Sequence, residues 1–246
     1  MSTRWLLLLG LSLGACSGRV DQGDLGVTAA CIVGGDLEPA QVRLDAEQKR
    51  SVVAVFEPAL GVLCSAVVVA DGVLLTAKHC LSADRISFDD VDLVFGADAY
   101  SSTLVRHPTS VVVHNGADAA LLRFDAGTLG DAWRSTPMAL YGGAIDQSLV
   151  GTPVEIAGFG QAEDSEGRLK FARQDIVAVD PATITVNTGA DVGACFGDSG
   201  GPMLIGTAAG PAVLGILAWG PDDCLGGDHY VRADLLADLT GAECAR

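Results

Sequence analysis

Basic residues are scarce in this chain, whose 246 residues include 15 Lys and Arg against 31 Asp and Glu, a formal net charge of −16 at pH 7. Such a surface repels phosphate backbones, so we expect no nucleic-acid partner. The acidic residues are scattered and form no block, which is typical of a solvated surface. The attraction of cationic substrates stays open as an alternative.

The signatures of several other protein classes are also missing. The 31 Gly show no three-residue period and no heptad run occurs, which excludes a collagen helix and a coiled coil. The 7 Cys are too few for a small disulfide-knot protein, and no CxxC or HxxxH spacing suggests a metal site. Because 49% of the residues are hydrophobic and 19% are charged, the chain can bury a core and is globular.

The amino-terminal apolar run, residues 5–13, is too short for a membrane span, which takes about 20 residues. It follows Arg4 and precedes Cys16 after two small residues, a pattern typical of a secretory signal. We therefore predict an exported protein with a signal peptide over residues 1–15. The sequence at Cys16 resembles a bacterial lipobox, which predicts a lipid anchor in the cell envelope. An ordinary signal cut after Ala15, which predicts an extracellular protein, is the alternative.

Residues 16–31 are rich in Gly and Asp without periodicity, and we interpret them as a flexible leader or propeptide ahead of one domain over residues 32–246. Within that domain, residues 199–221 carry no charge, but Gly and Pro interrupt them too often for a membrane helix. We expect two buried strands joined by a Gly-Pro turn there.

Short runs rich in β-branched residues, separated by turn residues, occupy most of the domain and predict an all-β barrel or sandwich. Helical spacing of leucines occurs only in residues 232–242. The predicted strands are residues 52–56, 62–69, 73–75, 91–95, 111–113, 119–124, 154–156, 176–179, 184–186 and 211–219.

Three motifs hold the residue types used in nucleophilic catalysis. Ser199 lies in the Gly-Asp-Ser-Gly-Gly-Pro sequence of residues 197–202, where glycines let the backbone fold tightly around the hydroxyl and point N–H groups outward. His79 ends an apolar run in a Thr-Ala-Lys-His-Cys sequence, and Asp118 stands at the start of a buried strand. The chain order is His, Asp, Ser.

This order and these local sequences resemble the chymotrypsin-like (trypsin-fold) serine peptidases, and the Ile-Val-Gly-Gly sequence from Ile32 matches the mature amino terminus of that family. The resemblance runs from Ile32 to about Ala242. It implies two six-stranded antiparallel β-barrels with a short C-terminal helix and an active site between the barrels. It also implies a serine endopeptidase acting on proteins or peptides, without cofactor or metal. We expect a monomer whose only membrane contact is the lipid at Cys16.

The resemblance assigns a role to each motif residue. Ser199 is the nucleophile, and His79 takes its proton and returns it to the leaving group. Asp118 holds the imidazole tautomer and stabilises its charged form. The backbone N–H groups of Gly197 and Ser199 form the oxyanion hole.

The resemblance also implies two disulfides, Cys64–Cys80 beside His79 and Cys195–Cys224 beside the pocket. An exported chain meets an oxidising compartment where such bonds persist. We expect the remaining pair, Cys31 and Cys244, to form a third disulfide that keeps the leader attached after any cut at Ile32. Free or intermolecular thiols at these two positions are the alternative.

The chain departs from the family at the activation site. Family members carry Arg or Lys before the Ile-Val-Gly-Gly sequence, but here Cys31 stands there. If the chain is cut, the new ammonium group of Ile32 is expected to pair with Asp198. Activation by an unusual protease, or without a cut, stays open.

The substrate pocket also differs from the pattern of the family. Gly193 stands where trypsin-type members have a floor aspartate, whereas Asp228 stands where the family has a glycine wall. Gly220, the other wall position, is unchanged, and Trp219 belongs to the strand that pairs with substrate backbone. If Asp228 points inward, the pocket favours Arg or Lys. If it faces solvent, the pocket is open to Leu, Phe or Met.

Two alternatives to an active peptidase remain. A peptidase-fold surface protein could serve in binding or adhesion without catalysis. A peptidase could also be held as a zymogen by its tethered leader. Labelling of Ser199 by a fluorophosphonate separates an active enzyme from both.

Overall fold

The computed structural model describes residues 32–81, 90–160, 167–187, 192–224 and 227–239. The predictions for the signal peptide, the leader, Cys16, Cys31 and Cys244 fall outside these residues. None of the described helices combines the length and apolar character that a membrane crossing requires.

The first half of the described chain forms one antiparallel sheet. Its strands are β1 (Val52–Glu57), β2 (Val62–Ala70), β3 (Val73–Thr76), β4 (Asp92–Val94), β5 (Val105–Arg106), β6 (Ser110–Val113) and β7 (Ala120–Arg123). They are ordered β5-β4-β1-β2-β3-β7-β6. Among the described residues, β5 and β6 end the sheet without pairing to each other, so this unit is a half-barrel. Because β5 has only two residues, it has few backbone N–H and C=O groups with which another strand could pair.

The second half forms a closed barrel. Its strands are β8 (Pro153–Gly158), β9 (Lys170–Val179), β10 (Thr183–Asn187), β11 (Pro202–Thr207), β12 (Gly210–Trp219) and β13 (Gly227–Arg232). They close in the order β10-β13-β12-β11-β8-β9. The uncharged stretch forms the hairpin of β11 and β12, as expected, and Gly210 takes a φ of 115° at its turn. The predominantly β, chymotrypsin-like fold is confirmed, with an open half-barrel in place of the first closed barrel.

The helices are short. One α-helix, α1 (Ala46–Lys49), was not predicted; it carries a capping box formed by Asp45 and Gln48, and the spacing of these two residues was its only sequence signal. The 3₁₀ helices are Lys78–Leu81, Ala126–Thr128, Gly130–Ala132, Gln147–Leu149 and Ala233–Leu236. The last of these continues as helix to residue 239, which confirms the short C-terminal helix within the described chain.

The two units share a hydrophobic core. One cluster joins Val52 and Leu75 of the half-barrel to Phe159, Leu204 and other buried residues of the barrel. β8 contacts β1 and β2 of the half-barrel, and β11 contacts β2. The cleft described below opens between the two units.

Candidate active site

His79 and Asp118 are brought together by the pairing of β3 with β7. His79 lies on the 3₁₀ helix that follows β3, and Asp118 lies two residues before β7, whose Ala120 pairs with Thr76. The Nδ1 atom of His79 is 2.6 Å from Oδ2 of Asp118. The backbone N–H of His79 donates to Oδ1 of the same carboxylate at 2.9 Å. The backbone hydrogen bond therefore fixes the carboxylate, its other oxygen orients the imidazole, and Nε2 of the ring stays available.

The pKa of Asp118 lies below its ordinary value of 3.8. Burial acts to raise it, but the two hydrogen bonds from His79 and the charges of His79 and Lys78 outweigh burial. Asp118 is therefore ionised at neutral pH and can stabilise a positive charge that forms on His79.

Glycines shape the loop that carries Ser199. Gly197 has a φ of 99° and Gly200 a φ of 80°, a region that side chains disfavour. A Cβ atom on Gly197 would lie 2.8 Å from the Cα atom of Gly160. Within the described chain, the N–H groups of Gly197 and Ser199 donate no hydrogen bond to another residue. Both N–H groups can therefore donate to an incoming oxygen.

Ser65 of β2 joins the serine loop to the half-barrel. It is fully buried. Its N–H donates to the carbonyl oxygen of Ser199 at 2.8 Å, and its hydroxyl donates to that of Gly197 at 2.9 Å. The hydroxyl also accepts from the N–H of Phe159. Sequence reasoning missed this residue, because its partners are more than 90 positions away in the chain.

The two disulfides predicted near the site are present, Cys64–Cys80 and Cys195–Cys224. The first closes the segment that ends beside His79. A ring nitrogen of His79 lies within 4.8 Å of both sulfurs of this bond. Because these sulfurs are bonded to each other, they offer no thiolate to a metal ion.

A cleft of about 470 Å³ opens between the half-barrel and the barrel. His79 and Ser199 line it together, as do Trp219, Gly220 and Asp228 of the predicted pocket. Gly193 does not line it; its backbone pairs with that of Val33. Two exposed aromatic rings that sequence reasoning did not single out, those of Phe196 and Tyr100, also border the cleft.

Asp228 is completely buried and faces the cleft. Its Oδ2 accepts from the N–H of Ala194 at 2.8 Å, while its Oδ1 has no hydrogen-bond partner among the described residues. Oδ1 lies next to Gly220: a Cβ atom on this glycine would be 2.6 Å from Oδ1. Burial raises the pKa of Asp228 to about 7, against the opposing N–H of Ala194. A buried carboxylate oxygen is thus available to a cation that enters the cleft.

Asp198 is buried beside the nucleophile but faces away from the cleft. Its oxygens accept from the N–H groups of Gly160 and Cys195 at 2.8 and 2.9 Å. Burial raises its pKa to about 7, and the charge of Asp228 adds to this effect against the backbone donors and Lys170. Ile32 is also buried, with 1% of its surface exposed, in the hydrophobic cluster of the barrel.

Comparisons with known proteins agree with this geometry. The family described as Trypsin matches residues 28–239. The chain is similar to a Glossina austeni protein named Lectizyme, at 29% identity over 203 residues that cover 67% of this chain and 70% of the relative. It is also similar to Trypsin iota of Drosophila melanogaster, at 29% identity over 179 residues that cover 64% and 68%. Both relatives are insect proteins and do not support the bacterial source that the lipobox resemblance suggested.

Proposed function

Because the chain belongs to the trypsin family, we propose that it is a serine endopeptidase that forms an acyl-enzyme on Ser199. One observation carries the proposal. His79, which is hydrogen-bonded to Asp118, lines the same cleft as Ser199. A protein that only bound ligands would have no use for an ionised carboxylate that is hydrogen-bonded to both the imidazole and the backbone N–H of one histidine.

The mechanism follows from these groups. Nε2 of His79 takes the proton of the Ser199 hydroxyl as Oγ bonds to the carbonyl carbon of the substrate. The carbon–nitrogen bond then breaks, and the imidazolium gives its proton to the leaving amine. Water attacks the resulting ester with His79 again as base, which releases a carboxylic acid and restores Ser199. Throughout, the ionised Asp118 stabilises the imidazolium.

The oxyanion of each tetrahedral intermediate needs donors that are already in place. The N–H groups of Gly197 and Ser199 have no other partner among the described residues, so they can serve as these donors. The hydrogen bonds from Ser65 to the carbonyl groups of the same two residues anchor the loop that carries these donors. Little reorganisation is then required during the reaction.

A fluorophosphonate probe tests the proposal, because it reacts only with an activated serine. The exported protein is expected to gain one adduct by intact mass, and Ser199→Ala is expected to abolish it. Ser148→Ala, which changes an exposed serine on the 3₁₀ helix Gln147–Leu149, is the matched control and should keep the adduct. Absence of an adduct from protein that starts at Ile32 would refute an active enzyme and favour a binding or adhesion protein.

We propose that the pocket prefers Arg or Lys at the residue before the cleaved bond. The unpartnered Oδ1 of Asp228 faces the cleft and is buried, so a cationic side chain would supply the partner it lacks. A neutral Leu, Phe or Met would leave this oxygen unsatisfied. The net charge of −16 also favours cationic substrates at longer range.

Processing and location complete the proposal. We propose that the chain is secreted through the signal peptide of residues 1–15, with Cys16 as the site of a lipid and residues 16–31 as the leader. Cleavage before Ile32 would create an ammonium group for Asp198, whose carboxyl is buried without a cationic hydrogen-bond partner among the described residues. Amino-terminal sequencing before and after probe labelling tests this, because a zymogen is labelled only once its sequence starts at Ile32.

A further inference from the structure

Trp219 and His229 form a stacked pair at the wall of the cleft. They are direct cross-strand partners on β12 and β13. Their ring centroids are 3.4 Å apart and their planes differ by 16°. The register shifts between Leu217 and Trp219, so Ala218 is an extra residue in β12. Because such a bulge re-aims the side chains beside it, Trp219 comes to lie opposite His229.

A third strand holds the histidine ring. Thr185 of β10 is the cross-strand partner of His229 on its other side. Its Oγ1 atom is 3.1 Å from Nδ1 of the ring. Thr185, His229 and Trp219 therefore form one row across three neighbouring strands. The hydroxyl fixes the rotation of the imidazole, and the imidazole covers one face of the indole.

The row lies on the opposite side of β13 from the pocket acid. Side chains alternate along a strand, and Asp228 and Tyr230 are buried while His229 between them is half-buried. Burial lowers the pKa of His229 against the opposing charge of Asp180, so the ring is neutral at pH 7. Trp219 nevertheless keeps 56% of its surface exposed and lines the cleft. The indole is thus supported from behind and open toward substrate.

We propose that His229 is a positioning residue that holds the indole of Trp219 as a rigid platform for the substrate residues ahead of the cleaved bond. The inference rests on the proposed peptidase function. An unsupported indole on this strand end would sample several rotamers, and a substrate would have to order it on binding. Stacking removes that cost before the substrate arrives. Only substrates long enough to reach the platform benefit.

The test compares two amide substrates that both have Arg directly before the cleaved bond. The long substrate has three residues ahead of that bond, and the short substrate has the Arg alone. His229→Ala is expected to raise the KM of the long substrate about threefold to tenfold relative to that of the short one, with an unchanged kcat. His229→Phe, which keeps an aromatic ring, should restore the wild-type KM ratio. Thr185→Val, which keeps the shape but loses the hydroxyl, should raise the ratio by a smaller factor. His107→Ala, at an exposed histidine far from the row, is the matched control.

The outcomes separate this inference from the proposed function. An unchanged KM ratio in His229→Ala and Thr185→Val would overturn the positioning role, as would an equal rise in KM for both substrates. A loss of kcat that Phe does not rescue would also overturn it, because that result indicates a structural defect. The rate of fluorophosphonate labelling, which does not depend on the platform, is measured alongside. If the wild-type protein is not labelled, the peptidase proposal fails instead.

Discussion

Replacement of Asp228 by Asn probes the pocket most directly. The substitution keeps the size of the side chain and an oxygen for the N–H of Ala194, but it removes the negative charge. Since Asp228 does not touch the imidazole or the nucleophile in any hydrogen bond of the described chain, catalysis of neutral substrates should persist. The expected loss is the preference for Arg over its neutral isostere citrulline.

The magnitude follows from the pKa of the buried carboxyl. Burial raises it from 3.8 to about 7. If a bound guanidinium restores the ordinary value, the difference of about three in pKa corresponds to about 4 kcal/mol of interaction. At 1.4 kcal/mol for each factor of ten, the ratio of kcat/KM for Arg to that for citrulline should fall on the order of 10³-fold in Asp228→Asn.

The pKa of Asp228 also makes the preference for Arg over citrulline depend on pH. The carboxylate forms as pH rises through about 7, and only the ionised form attracts a cation. The wild-type ratio of kcat/KM for Arg to that for citrulline should therefore rise between pH 6 and pH 8 and then level off. Groups whose titration affects both substrates equally, such as those of the catalytic site, do not change this ratio. In Asp228→Asn the ratio should be flat over this range.

Peptide amides that differ only in Arg or citrulline provide the assay. Asp222→Asn is the matched control, because Asp222 lines the same cleft but is exposed, and exposed charges contribute little. The control should change the ratio less than about threefold. A ratio in Asp228→Asn that stays within threefold of the wild-type value would refute the assignment of Asp228 as the specificity acid.

Two further predictions concern the loop and its disulfide. Gly197→Ala should lower kcat about 10²-fold to 10³-fold with little change in KM, because φ is 99° and the new Cβ would contact Gly160, which moves an oxyanion donor; steady-state kinetics with normal kcat would contradict this. The double substitution Cys64→Ala and Cys80→Ala should lower the free energy of unfolding by about 3 kcal/mol, since the bond closes a segment with a sequence separation of 16. Denaturant titration in the Ser199→Ala background, which prevents self-digestion, measures it, and a change below about 1 kcal/mol would be inconsistent with the entropic argument.

Local patterns in the sequence were sufficient for most strands. Apolar and β-branched runs bounded by turn residues predicted β1 to β4 and β6 to β12, because the hydrophobic pattern of a strand is a local property of the chain. β9 begins at Lys170, well before the predicted residue 176, because the buried position 174 holds a polar Gln, which interrupts the apolar pattern there. β5 was missed, since two residues carry no period, and the predicted ranges did not include β13 (Gly227–Arg232).

The residue types of the candidate site could also be predicted from short sequence motifs. The glycines around Ser199 are required by positive φ angles and by close backbone approach, and both are visible as a motif before any fold is known. The cysteine pairs near His79 and near the pocket followed from the family resemblance and are present. The order of His79, Asp118 and Ser199 then indicated one reaction class.

Tertiary structure alone decided how these residues face one another. The side of β13 that carries Asp228 depends on register, and a slip of one residue would have turned that carboxyl outward and His229 inward. The stack of His229 on Trp219 depends on the bulge at Ala218. Ser65 holds the serine loop from the other unit of the fold. The sequence by itself determined which groups are available for catalysis, whereas contacts between distant segments determined which of those groups meet, because they depend on packing and strand register that no local pattern encodes.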